Sequence, residues 1–126
     1  MSKNKKYQNC DREEFWEKYD NYNLSLPLKC LRDVNLRGNR LKVYILIRNF
    51  KAKKGYCWMT NETIAYLCGC SISQVEREIK HLKIMQYIRC YYKSKNNKTD
   101  RKIFDNYEIR LIEQFEDEND DYIREL

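Results

Sequence analysis

The chain has few of the residues that interrupt regular structure and few of those that carry acid–base chemistry. Its 126 residues include three glycines, one proline and a single histidine. So little glycine and proline argues against a chain that is mostly loop or low-complexity sequence. Hydrophobic residues make up 42% and aromatic residues 13%, which is enough for one compact domain with extensions.

Long apolar segments are also missing from the sequence. The longest apolar run, Val43–Ile47, has five residues, whereas a membrane-spanning helix needs about 20. No apolar stretch follows the basic segment Met1–Lys6, so we see no secretory signal. We therefore expect a cytoplasmic protein without a membrane segment.

The cysteines and the lone histidine do not form a recognisable metal or catalytic pattern. No two cysteines have the Cys-x-x-Cys spacing, and they stand at Cys10, Cys30, Cys57, Cys68, Cys70 and Cys90. Disulfides would suit an exported chain, but in the cytoplasm we expect reduced thiols, several of them buried. His81 has no close set of partner ligands. We therefore expect no metal, no cofactor and no enzymatic activity.

Charge is unevenly distributed along the chain. Residues 112–126 hold seven acidic residues and one basic residue, a net charge of −6, while the whole chain is +6, so residues 1–111 carry +12. A basic body with an acidic tail indicates a polyanionic partner. A lysine-rich, merely solvated surface is the alternative explanation.

Both ends of the chain are interpreted as extensions of a central domain. Residues 1–35 are predicted to contain a basic arm, a short aromatic helix over residues 11–20 and an edge strand, Tyr22–Leu26, ended by Pro27. Residues 113–126 are predicted to be an acidic C-terminal tail.

The central region, residues 36–112, has the pattern of an α+β domain. Hydrophobic periodicity predicts helices at 39–50, 61–68 and 72–85 and strands at 56–59, 87–94 and 103–111. The polar segment 95–102 would join the last two strands as a hairpin. The order helix, strand, helix, helix, strand, strand is that of a winged helix-turn-helix: a three-helix core with a C-terminal β-hairpin wing.

Residues 60–82 fit a helix-turn-helix in particular. Ala65 is small enough for two helices to cross closely, and Gly69 suits the left-handed turn between them. The second helix would cover the first with three apolar residues spaced by four and three positions, Val75, Ile79 and Leu82.

The opposite face of this second helix has side chains that can contact DNA. Hydroxyl, amide and guanidinium groups can read base edges in a major groove, which makes Arg77 a candidate for guanine and Gln74 for adenine. Lys80 is better suited to phosphate. The candidate residues on the two helices are Thr60, Ser73, Gln74, Arg77 and Lys80. An ordinary amphipathic helix with a polar outer face would look the same.

The predicted hairpin is also basic. Its cationic residues are Lys93, Lys95, Lys98, Arg101 and Lys102. Such a wing can lie on phosphates or enter the minor groove. Alternatively, lysines on an edge hairpin prevent unwanted strand pairing.

The segments 54–65 and 70–82, followed by Tyr87 and Ile88, resemble the winged-helix domain of phage and plasmid replication initiators and related mobile-element proteins. The resemblance extends over about residues 24–110. It implies double-stranded DNA binding in replication or transfer origin recognition or in transcription regulation. That family has glycine where this chain has Gln86.

Two functions are therefore expected from the sequence. The first is sequence-specific binding of double-stranded DNA as a homodimer, since one recognition helix reads few base pairs. Replication or conjugation proteins are possible further partners. The second is a protein-interaction module that docks such a partner without reading DNA.

Overall fold

The computed structural model describes residues 17, 19–96 and 98–125. The predicted basic arm and most of the predicted helix over residues 11–20 lie outside these residues.

The described residues form four α-helices and a four-stranded antiparallel sheet. The helices are α1 (Gly38–Asn49), α2 (Asn61–Cys68), α3 (Ile72–Ile84) and α4 (Ile109–Glu118). The strands are β1 (Tyr56–Cys57), β2 (Ile88–Lys95), β3 (Lys98–Asp105) and β4 (Ile123–Glu125), in the spatial order β1-β3-β2-β4. A short 3-10 helix, Leu28–Arg32, precedes α1. Among the helices of the described residues, none has the length and apolar character needed to cross a membrane.

Local capping explains where α2 and α3 begin and end. The Thr60 hydroxyl accepts a hydrogen bond from the Thr63 amide at 3.1 Å, which starts α2. Gly69 ends α2 with a left-handed φ of 69°. Ser71 and Gln74 then form the reciprocal capping box that starts α3. The two predicted helices are confirmed to within one residue at each end.

The first three helices pack around one apolar core. The predicted inner face of α3 is confirmed, because Val75, Ile79 and Leu82 are at most 4% exposed. Ala65 is fully buried, as expected for a close helix crossing. This core also takes in residues of α1 and of the near face of the sheet, among them Val43, Ile47, Cys57, Cys90 and Ile103.

A second apolar core covers the other face of the sheet. Side chains alternate along a strand, so Cys90 and Ile103 face the first three helices while Tyr91 and Phe104 face α4. Phe115 of α4 contacts Phe104 with ring centroids 5.1 Å apart. The part of the sheet around Cys90, Tyr91, Ile103 and Phe104 is therefore buried on both faces.

Three predicted strands and the predicted turn differ from the structure. The strand predicted for residues 56–59 ends at Cys57. The strand predicted for residues 103–111 is wrong beyond Asp105, because Ile112 and Phe115 are both buried on one face of α4, which begins at Ile109. The predicted turn 95–102 is mostly strand, with register pairs running to Lys95↔Lys98. Within the described residues, 22–26 form neither strand nor helix, and their backbone is fixed instead by hydrogen bonds between Ser25 and Asn49.

The C-terminal residues fold onto the sheet. Helix α4 continues across the predicted boundary between residues 112 and 113. Strand β4 then pairs with β2, with Cys90 opposite Glu125 and Tyr92 opposite Ile123. Most of the acidic segment therefore lies against the hairpin formed by β2 and β3.

The cysteines behave as small hydrophobic residues. Cys30, Cys57, Cys68 and Cys90 are buried, which confirms the expectation that several cysteines are buried; that the thiols are reduced stays a prediction. Burial raises the pKa of Cys57 and of Cys90 to about 11. Thiols with such high pKa values are poor nucleophiles at neutral pH.

Gln86 occupies a left-handed backbone position between α3 and β2. Its φ is 66°. The Tyr87 amide donates a hydrogen bond to the Leu82 carbonyl oxygen at 2.9 Å, which ends α3. Glycine is the preferred residue at this position of such a helix end. The Gln86 carbonyl accepts a hydrogen bond from Asn106 at 2.8 Å, which any residue at 86 would preserve.

We predict that Gln86→Gly stabilises the protein. Relief of the left-handed conformation gains about 1–2 kcal/mol, and the greater freedom of glycine in the unfolded chain offsets about 0.4–1 kcal/mol of it. Urea denaturation should therefore show a free energy of unfolding raised by up to about 1.6 kcal/mol. The control Lys80→Gly, inside α3, should lower it by about 1 kcal/mol. A Gln86→Gly protein less stable than the wild type would contradict the prediction.

Candidate nucleic-acid interface

The outer face of α3 presents the predicted base-reading residues together. Ser73, Arg77 and Lys80 are exposed and follow one another at intervals of four and three residues, opposite the buried Val75 and Ile79. The Arg77 side chain is 59% exposed. An exposed guanidinium in the middle of a helix is well placed for a base edge if that helix enters a groove.

Gln74 has a structural role in the same helix. Its Oε1 atom accepts a hydrogen bond from the Ser71 amide at 2.9 Å, as part of the capping box. Reading an adenine bidentately requires both the amide oxygen and the amide nitrogen. Gln74 would have to leave the capping box in order to make that contact.

A buried carboxylate, Glu78, connects α3 to α1 beneath this exposed face. Glu78 is 8% exposed and accepts a hydrogen bond from Arg40 Nε of α1 at 2.8 Å. Arg40 also lies 2.8 Å from His81 Nδ1, while Arg77 Nε is 3.5 Å from Glu78. Burial alone would raise the pKa of Glu78, but the hydrogen bond and charge of Arg40 lower it overall. This network fixes α3 on α1.

Thr60 lies at the start of α2, where it is exposed. Its hydroxyl caps the helix and donates a hydrogen bond to Thr63 Oγ1 at 3.1 Å. This places it at the positive end of the α2 dipole, a position favourable for a phosphate.

The hairpin lysines differ in their surroundings. Lys98 is exposed where β3 begins, next in register to Lys95 of β2. Lys93 pairs with Asp121 at 2.8 Å, and this hydrogen bond raises the pKa of Lys93. Lys102 pairs with Asp100 at 3.2 Å and lies 4.3 Å from the centre of the Tyr56 ring. Lys93 and Lys102 are therefore each paired with a carboxylate, whereas Lys98 is exposed.

Arg101 ties the hairpin to the helical core. Its guanidinium donates to Asn61 Oδ1 at 2.6 Å and to the Met59 carbonyl at 2.7 Å. Both acceptors are at the start of α2, so Arg101 fixes the hairpin relative to the helix-turn-helix.

The sequence analysis missed the acidic partners of the basic surface. Lys83, in the last turn of α3, pairs with Glu125, and Arg89 lies 3.8 Å from Glu116. The first contact depends on β4 pairing with β2 and the second on α4 packing against the sheet, and no local pattern reveals either. The excess of acid after residue 112 was the only available signal.

Comparison with known families supports the same part of the molecule. Residues 34–88 match the model of a helix-turn-helix domain. The match begins just before α1 and ends at the first residue of β2, so it includes α2, the turn at Gly69 and α3. It supports a helix-turn-helix DNA-binding domain, with DNA as the partner. No curated protein and no solved structure matches the chain significantly.

We predict that Arg101 and Lys98 respond differently to loss of one charge. Arg101→Gln removes charged hydrogen bonds at a half-buried site, and it should lower the free energy of unfolding by about 1–2 kcal/mol. Lys98→Gln, at an exposed site, should change it by less than about 0.5 kcal/mol. Urea denaturation of the two variants compares them directly. Equal stabilities would show that Arg101 does not tether the hairpin.

Proposed function

We propose that this protein is a winged helix-turn-helix that binds double-stranded DNA with sequence preference and without catalysing a reaction. In this proposal α3 enters the major groove and the hairpin of β2 and β3 is a wing on phosphates or in the minor groove. The observation that carries it is the exposed face of Ser73, Arg77 and Lys80 within a segment that matches a helix-turn-helix domain.

The size and chemistry of α3 support this role. A major groove about 12 Å wide admits one α-helix with its side chains. Arg77 could donate two hydrogen bonds to guanine, and Ser73 could contact either a base or a phosphate. Lys80, further along the same face, would contact the backbone and add affinity without sequence information.

The hairpin supplies the second proposed contact. Lys95 and Lys98 flank its turn, and Arg101 fixes the hairpin to the start of α2. A wing fixed in this way would bind together with α3 as one rigid surface. If about six phosphates were contacted in all, the logarithm of affinity would fall with the logarithm of salt at a slope of about −5.

The biological role is proposed from the resemblance to mobile-element proteins. We propose that the protein acts in the cytoplasm on a phage or plasmid, in origin recognition for replication or transfer or in transcription regulation. A homodimer would read two half-sites and so supply the specificity that one α3 lacks. Replication or conjugation proteins would then be its further partners.

A second candidate function is docking of a protein partner. It is favoured by an exposed apolar cluster before α1, where Leu28, Leu31 and Val34 are 67–69% exposed. A group of neighbouring apolar side chains exposed to water is unusual on a protein surface that binds no partner. In this alternative the helix-turn-helix would not read bases.

The proposed function is tested by Arg77→Ala. A duplex selected from random sequence by the purified protein serves as the probe in a mobility-shift titration. Loss of a bidentate guanine contact is worth about 1–3 kcal/mol, so affinity should fall about 5- to 150-fold. Preference for the selected sequence over unrelated DNA should fall with it.

Arg110→Ala is the matched control, because Arg110 is an exposed arginine on α4, which covers the opposite face of the sheet. It should leave affinity nearly unchanged. Equal losses of affinity in the two variants would indicate that the loss of one positive charge, and not a base contact of Arg77, weakens binding. Failure of the wild type to bind any duplex at low salt would favour the docking function.

A further inference from the structure

The C-terminal end of α3 holds a carboxylate in a cationic setting that the proposed function has not used. Lys83 lies in the last turn of α3, and its side chain is 12% exposed. Its ammonium pairs with the carboxylate of Glu125 on β4. The Tyr92 hydroxyl of β2 donates to the same carboxylate at 3.4 Å.

The charges of two other cations act on Lys83. Burial lowers the pKa of Lys83, Cys90 opposes this shift, and the positive charges of Arg101 and Lys80 lower the pKa further. Those two charges belong to the hairpin and to α3. Lys83 therefore lies in the positive field of the two elements that are proposed to meet DNA.

A second carboxylate from the same segment repeats the arrangement. Asp121, just before β4, pairs with Lys93 of β2 at 2.8 Å. Two acidic residues of one short segment, Asp121 and Glu125, thus form ion pairs with Lys93 and Lys83. Phosphate oxygens are the ligand that such lysines would otherwise bind.

Strand β4 is held mainly by polar contacts. It pairs with β2 at three positions only, and its side chains are exposed, with Ile123 at 75%. In contrast, α4 is anchored by Ile112 and Phe115, which are at most 4% exposed. A polyanion could therefore replace the polar contacts of β4 while Ile112 and Phe115 keep α4 in place. Tyr122, just before β4, also contacts Phe115 with ring centroids 5.1 Å apart.

We propose that Lys83 and Tyr92 form a binding site for a DNA phosphate, and that Glu125 occupies this site in the free protein and leaves it when DNA binds. This inference rests on the proposed DNA binding by α3 and the hairpin. It adds a phosphate contact at the carboxyl end of α3 and an internal competitor for that contact.

The proposal predicts opposite effects for the two members of one ion pair. Lys83→Gln removes the phosphate ligand, so it should weaken binding and reduce the magnitude of the salt slope by about 0.9. Glu125→Gln removes the competitor. Since partly exposed ion pairs are weak, affinity should rise about two- to fivefold. Loss of one charge anywhere on the protein shifts DNA affinity in the same directions, so each variant is compared with a control of equal charge change.

The experiment measures fluorescence anisotropy of a labelled duplex with the full chain at several salt concentrations. Glu113→Gln and Asp120→Asn are the matched controls for Glu125→Gln and Asp121→Asn. Both control acids are exposed and, among the described residues, neither makes an ion pair. Each control changes the net charge by the same amount as its partner variant.

Tighter binding by Glu125→Gln and Asp121→Asn than by their controls supports the inference. Equal affinities within each matched pair overturn it and leave the proposed function intact. Absence of DNA binding by the wild type and all variants overturns both. If Lys83→Gln does not fold, Tyr92→Phe takes its place, because it removes the second hydrogen-bond donor of the site and should weaken DNA binding. Unchanged affinity of Tyr92→Phe, together with no gain in affinity for Glu125→Gln, also overturns the inference.

Discussion

The buried carboxylate of Asp105 determines how the sheet sits on the helices. Asp105 is 1% exposed and accepts hydrogen bonds from two side chains of α1, Tyr44 at 2.9 Å and Arg48. A buried charge is strongly unfavourable unless it is paired and hydrogen-bonded. Burial and the negative charge of Asp105 raise the pKa of Tyr44, which keeps its hydroxyl protonated as a donor. Asp105, at the end of β3, is therefore stable only where Tyr44 and Arg48 of α1 can bond to it.

This constraint has consequences for the surface that is proposed to bind DNA. With the end of β3 fixed on α1 and Arg101 fixed on the start of α2, the hairpin has two attachments to the helical core. Glu78 attaches α3 to the same helix α1 through Arg40. The hairpin and α3 are thus positioned by a common element, which supports a single rigid contact surface.

Much of this domain could be predicted from local sequence. The capping box of Ser71 and Gln74, the glycine at 69 and the apolar spacing from Val75 to Leu82 are all short-range signals, and α2 and α3 follow from them. The first strand of the hairpin was also found. Gln86, at the position where the resembling family has glycine, has a left-handed backbone conformation.

What the sequence did not reveal depends on contacts between distant residues. The alternation in residues 103–111 suits a strand, and only the burial of Ile112 and Phe115 against Phe104 turns its end into α4. Likewise, the pairing of Lys93 with Asp121 and of Lys83 with Glu125 requires the C-terminal segment to fold along β2. The DNA contacts of the candidate residues stay predictions, because they require a partner molecule.

The central claim, that α3 and the hairpin together form the DNA surface, is tested most directly by NMR. Amide chemical shifts of the isotope-labelled full chain would be followed during titration with a selected duplex. The account predicts the largest changes in residues 73–80 of α3 and around Lys93 and Lys98 of the hairpin. Changes concentrated instead around Leu28, Leu31 and Val34, with α3 unaffected, would contradict it.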